Sequence, residues 1–203
     1  MKQKRVMSKK KNFIEKQYSE SWKFIKESKD FIYIAVLIFF ITAVFAFVFP
    51  IPQALAEKLL EILREIARQT EGLSQSELMK FIFLNNVESS FFGMIFGAIL
   101  GIFSVIGALF NGFLLGFVAK LVFNSEQGIL ALWRLFPHGI FELPAIFISL
   151  GLGIKFGTFI FQKKKLKAFL DYFWNCLRVF IFVVIPLLFI AAIIEGVLIS
   201  LVG

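Results

Sequence analysis

Residues 90–123 run for 34 positions with one charged side chain, Lys120, in a background of Phe, Ile, Leu, Val, Gly and Ala. A helix crossing the roughly 30 Å hydrocarbon layer needs about 20 residues, so a run of this length holds more than a single pass. Phe31–Phe49 is a second run, of 19 residues without a charge, and about 28 Å long as a helix. Residues 139–161 and 173–202 supply two more. The apolar stretches are continuous and do not alternate at period two, which argues against a β-barrel. Hydrophobic residues make up 59% of the chain and mean hydropathy is +0.83. Soluble domains stand near 45–50% apolar. The expected fold class is therefore all-α: a polytopic helical membrane protein with about five transmembrane or re-entrant helices plus amphipathic interfacial helices.

Charge sets the expected topology. Residues 1–30 carry ten Lys/Arg and four Asp/Glu, residues 50–89 carry four and six, and Lys163-Lys164-Lys165-Leu166-Lys167 forms a late basic cluster. Basic flanks stay on the cytoplasmic side. If 90–123 crosses once, the late cluster ends outside; if it crosses twice, inside. The rule selects two crossings, five spans, a cytoplasmic N-terminus and an extracytoplasmic C-terminus in the cell membrane. The long run is expected to break at Asn111-Gly112, leaving second and third spans that are short, tilted or re-entrant. A basic segment beside a span points to anionic lipid and not to nucleic acid. Ala54-Leu55-Ala56 has the form of a cleavage site, but the apolar run before it exceeds a signal-peptide core, so a retained signal-anchor is expected.

Two segments read as amphipathic. Ile14, Tyr18, Trp22 and Ile25 recur near the helical period between Lys and Glu residues, giving a cytoplasmic basic tail and interfacial helix over 1–30 ahead of a single membrane domain, 31–203. Pro50 and Pro52 end the first span. Beyond them Leu55, Leu59, Ile62 and Ile66 step by four, three and four, opposite a face of mixed charge. This extracytoplasmic segment, within 50–89, either lies on the outer leaflet, packs over its own bundle or pairs with another protein. Gly72 marks a loop, and Ser76 is the expected cap of a short helix leading to Asn85-Asn86.

Glycines recur at four-residue spacing: Gly93, Gly97 and Gly101, then Gly112 and Gly116, then Gly153 and Gly157. Such spacing makes a helix face without side chains, along which backbones approach closely. The expected use is packing within the bundle; a homodimer seam is the sharper alternative. Lys155, between two of these glycines, is expected to snorkel to the cytoplasmic side.

Polar residues interrupt the apolar runs at Asn85-Asn86, Asn111-Gly112 and Pro137-His138-Gly139 with Glu142. An unpaired polar group in lipid costs several kcal/mol, roughly, so these need protein partners. His138 and Glu142 are four apart and share a helix face if the helix runs through both, with Pro144 tolerated near the segment start. A metal site wants three or four ligands and the chain has a single His, so neither metal nor cofactor is expected. A proton relay between carboxylate and imidazole is a second option. The leading expectation is a hydrogen-bonded network joining Asn85, Asn86, Asn111, His138 and Glu142. Cys176, the only cysteine, reads as a buried inert thiol. No phosphate-binding loop, nucleophile elbow or His-Glu-x-x-His occurs, so enzyme activity is not expected.

Taken in order, Asn85-Asn86, the Gly-rich helix, Asn111-Gly112-x-x-x-Gly116, Pro137-His138-Gly139-x-x-Glu142-x-x-Ala145 and Gly151-x-Gly153 with Gly157 resemble the stage II sporulation protein M family. The resemblance is strong over residues 81–160 and loose elsewhere. It implies an integral membrane protein of about five spans. In spore formers such a protein acts in engulfment as a scaffold for partners that degrade peptidoglycan, without being an enzyme; members also occur in bacteria and archaea that do not sporulate. The expected function is thus a non-enzymatic membrane scaffold or membrane-shaping protein. Its partners would be lipids, other proteins and a second copy, a dimer being favoured. A transporter or permease component with a polar site at Asn111, His138 and Glu142 is the alternative, and a metal-dependent intramembrane enzyme a third reading.

Overall fold

The computed structural model describes residues 12–125 and 136–202, side chains excepted at 136–141, 195, 196 and 198–202. Apart from turns, the described chain is helical throughout. Helix α1 (Phe13–Glu27) meets α2 (Lys29–Val48) at Ser28, whose Oγ donates to the Phe24 carbonyl at 2.6 Å. Pro50 and Pro52 separate α2 from α3 (Gln53–Thr70), because proline breaks the amide ladder and fixes an extended neighbour. Helix α4 (Gln75–Ile95) continues through a 3₁₀ turn to Ala98, and α5 covers Ile102–Phe123. Helix α6 (Phe136–Gly157) likewise ends in a 3₁₀ turn to Phe161. Helix α7 (Lys165–Val179) passes through a π turn, Phe180–Val184, into α8 (Ile185–Val202). The widened turn sits just ahead of Pro186, which has no amide hydrogen to give to the preceding turn.

Among the described residues, five stretches are long and apolar enough to cross a membrane: Lys29–Val48, Gln75–Ala98, Ile102–Phe123, Glu142–Phe161 and Lys165–Ile194. The fourth is the axis of the bundle. It is 56% buried, against 17–33% for the other four. Helix α6 packs on α2, α4, α5, α7 and α8, while α2 lies along α5 and α4 along α8. One apolar cluster joins Phe24 and Met94 to Leu152, Phe156, Val179 and Leu188; a second joins Ala35, Ala108 and Leu150.

The interruptions differ from expectation in four places. The long apolar run breaks at Ile99–Gly101 and not at Asn111-Gly112, which lies inside the uninterrupted α5. Leu100 and Gly101 are both left-handed, with φ of 56° and 75°, a reversal that glycine adopts at no cost and leucine does not. The second and third spans are consequently of full length, 24 and 22 residues, and neither is short. The helix expected to be short and to lead into Asn85-Asn86 is not short: the pair lies in the middle of α4, which runs on to Ile95. The α4 cap is Ser74, not Ser76; its backbone amide and hydroxyl hold Glu77 in a reciprocal box. Pro144, finally, falls in the interior of α6 and not in a first turn, because that helix begins at Phe136.

Candidate functional site

Small residues decide where the helices meet. Along α2, Ala35, Phe39 and Ala43 face Ala108, Gly112 and Gly116 of α5. A Cβ on Gly112 would collide with the Phe39 carbonyl, and one on Gly116 with the Ala43 carbonyl. A second seam ties α4 and α5 to α6. A Cβ on Gly97 would strike the Gly153 carbonyl, and one on Gly157 would strike the Gly101 amide. Ser104 lies between these backbones and donates to the Gly93 carbonyl at 2.6 Å. At Gly93 the nearest obstacle is only the Leu150 side chain, 3.0 Å from an added Cβ. The glycines thus pack the chain against itself. Gly93, Gly97 and Gly101 do not share one helix face as expected: they occupy α4, the 3₁₀ turn and the left-handed N-cap of α5.

The polar signature is divided. Asn111 Nδ2 donates to Gly107 O of its own helix at 2.8 Å. Asn85 is exposed on α4, Asn86 half-buried beside it, and Glu142 half-buried on α6. Pro137, His138 and Gly139 stand at the start of α6, and their side chains lie outside the described residues. Helices α4 and α6 run parallel, Gly97 beside Gly153 and Gly101 beside Gly157. Continued along both helices, this register puts Asn86 level with Glu142. The antiparallel pairs Ser104–Gly153 and Gly107–Leu150 put Asn111 about a turn away. The backbone therefore brings Asn86, Asn111 and Glu142 to one depth of the bundle, while Asn85 faces outward.

At the end of the bundle that holds the α1–α2 corner, Lys155 is buried, 7% exposed, and does not snorkel to water. Its Nζ donates to the Glu27 carbonyl at 3.1 Å and lies 4.2 Å from the Phe24 ring centroid and 5.8 Å from that of Tyr172. A cation on the last carbonyls of α1 meets the negative end of that helix and fixes it to the bundle. Arg178 adds a 2.9 Å pair with Glu20. Cys176 is fully buried beneath this joint, its Sγ 3.8 Å from the Leu152 carbonyl. The 3.6-residue pattern of α1 signals an amphipathic helix but not the lysine 128 positions away that caps it.

The two amphipathic helices present apolar surface. On α1, Ile14, Tyr18 and Trp22 are exposed, and the Lys26 ammonium lies over the Trp22 ring at 5.7 Å. On α3, Leu59 is covered, but Leu55, Ile62 and Ile66 are 40–43% exposed. Among the described residues, no helix packs extensively along α3. At that same end Lys120 Nζ donates to the Phe49 carbonyl at 2.7 Å and ties α5 to the end of α2.

The family model described as Stage II sporulation protein M matches residues 35–198. No curated protein and no solved structure matches the chain.

Proposed function

We propose a function for this chain from one premise: it belongs to the stage II sporulation protein M family. It is a multi-pass membrane protein, and we infer that it works in the cell membrane as a non-enzymatic, oligomeric scaffold. The observation that carries this reading is the display of α3. A helix that leaves Leu55, Ile62 and Ile66 of its apolar stripe exposed beside a tightly closed bundle offers a surface for another molecule. Its polar face mixes both signs of charge and is not basic, which suits a protein helix better than anionic lipid. The bundle supplies rigidity: glycine contacts set the helix spacing, and Lys155 and Arg178 hold α1 in place.

Orientation follows from charge. The α1–α2 corner, Lys155, Lys163–Lys167 and Arg178 share one end of the bundle, whereas α3 and Lys120 are at the other. Positive charge at the first end favours the cytoplasmic side for it and the outer side for α3. Exposed Ile14, Tyr18 and Trp22 then seat α1 in the inner headgroup layer.

Replacing Leu55, Ile62 and Ile66 with Ser tests the reading. The variant should keep wild-type thermal stability, since the three side chains are exposed, and should lose the proteins that co-purify with the wild type from its native membrane. Retention of the same partners would contradict it. A transporter role through Asn111, His138 and Glu142 is the second reading, favoured by the common depth of Asn111 and Glu142. Water-accessible cysteine labelling at position 142 from one side would support it.

A further inference from the structure

The α4 surface carries a polar stripe at mid-membrane depth. Asn85, Glu88 and Ser89 are exposed there, followed on the same side by Phe92 and Phe96, whose rings stack 5.5 Å apart. The register that aligns α4 with α6, α6 with α5 and α5 with α2 puts Glu88 level with Phe113 and Phe40, the centres of the third and first spans. Among the described residues no hydrogen bond or ion pair reaches the Glu88 carboxyl or the Asn85 amide. Ser89 donates only a long 3.4 Å bond to the Asn86 carbonyl. Polar side chains facing hydrocarbon are strongly disfavoured, so this stripe is covered by something that pairs with it.

We propose that the cover is a second copy of the chain, docked α4 to α4 about a two-fold axis along the membrane normal. Three observations favour this occupant. Asn85, Glu88, Phe92 and Phe96 step by three, four and four, the spacing of a helix-pair seam. The symmetry brings each copy's Asn85, Glu88 and Ser89 to one depth without further requirement, and an isologous patch pairs with itself. The groups are self-complementary. The Asn85 amide both donates and accepts, the Ser89 hydroxyl does the same, and the Glu88 carboxyl accepts from the partner's Asn85 in either ionisation state. The glycine seams are used within the chain, and Arg178, more than a turn nearer the basic end, is already paired with Glu20. A single polar position in an apolar seam fixes both register and the two-copy state, as in coiled coils. This seam goes beyond the scaffold reading and does not depend on what α3 binds.

The test uses the full chain in phosphatidylcholine–phosphatidylglycerol vesicles. In a Cys176→Ala background, Ser89→Cys and Phe92→Cys should each form a disulfide-linked dimer on mild oxidation, and Leu109→Cys, on the exposed face of α5, should not. Energy transfer between labelled copies, followed on dilution with lipid, should show dimers. Glu88→Leu should weaken association about ten-fold or more, and Glu88→Gln, which keeps the hydrogen bonds, should restore most of it. Monomers at every dilution would overturn the proposal, as would cross-linking through Leu109→Cys alone or an unchanged Glu88→Leu. If Glu88→Leu does not fold, the two α4 cysteines decide: cross-linking supports the seam and its absence overturns it.

Discussion

Gly116 rests directly on the main-chain carbonyl of Ala43, with no room between them for a single methyl group. Gly112 repeats the relationship one turn earlier at Phe39. Leucine at 116 would push α2 away from α5 along the whole seam. Gly116→Leu is expected to lower stability by about 1–3 kcal/mol or more, seen as a fall in thermal midpoint in detergent. Gly107→Ala is the matched control. There the nearest atom to an added Cβ is the end of the flexible Leu150 side chain at 3.0 Å, and the change should be small.

Ser104 supplies a polar link at the glycine seam of α4, α5 and α6, through its 2.6 Å bond to Gly93 O. Ser104→Ala removes the bond without adding volume. Interhelical bonds of this kind contribute roughly 0.6–1.7 kcal/mol in membranes, and the loss should fall in that range by reversible unfolding in mixed micelles. Gly153→Ala at the same crossing should cost more, because its methyl would collide with the Ser104 hydroxyl.

Lys155 reaches α1 directly from α6. Lys155→Met keeps the stem and removes the ammonium that caps Glu27 and faces Phe24. The docking of α1 should weaken by about 1.5–3 kcal/mol, the range of a charge-assisted hydrogen bond. Limited trypsin digestion should then cut faster at Lys23 and Lys26 while the membrane bundle stays intact.

The orientation can be read with a membrane-impermeant maleimide on intact cells. With Cys176 replaced, Lys58→Cys should label from outside, and Lys164→Cys only after the membrane is opened. The reverse pattern would invert the topology and move α3 to the cytoplasm.

Span number and the two amphipathic helices were legible because each rests on a one-dimensional signal. Nineteen uncharged residues over Phe31–Phe49, and Leu55, Leu59, Ile62 and Ile66 at helical spacing, require no tertiary information. The break in the long run was not. Hydropathy is flat across residues 90–123, and Asn111-Gly112 imitates a turn, whereas the reversal depends on left-handed φ at Leu100 and Gly101. The four-residue repeat of Gly93, Gly97 and Gly101 concealed it, since a glycine that turns the chain and a glycine that packs a helix are the same letter. The expected polar network depends on side-chain direction. A shared depth for Asn86, Asn111 and Glu142 follows from helix register, yet Asn111 bonds to its own helix and Asn85 points away. Glu88 carries no such signal in the sequence, because its depth depends on α4 running unbroken from Gln75 to Ile95.

The most direct test of the scaffold account is photo-crosslinking from Ile62 in the native membrane, with a photoreactive phenylalanine analogue at that position and at Glu61 on the polar face as control. The account predicts a discrete protein adduct from position 62, absent from position 61 and competed by a peptide of residues 53–70. Adducts to lipid alone at position 62, or equal protein adducts from both positions, would contradict it.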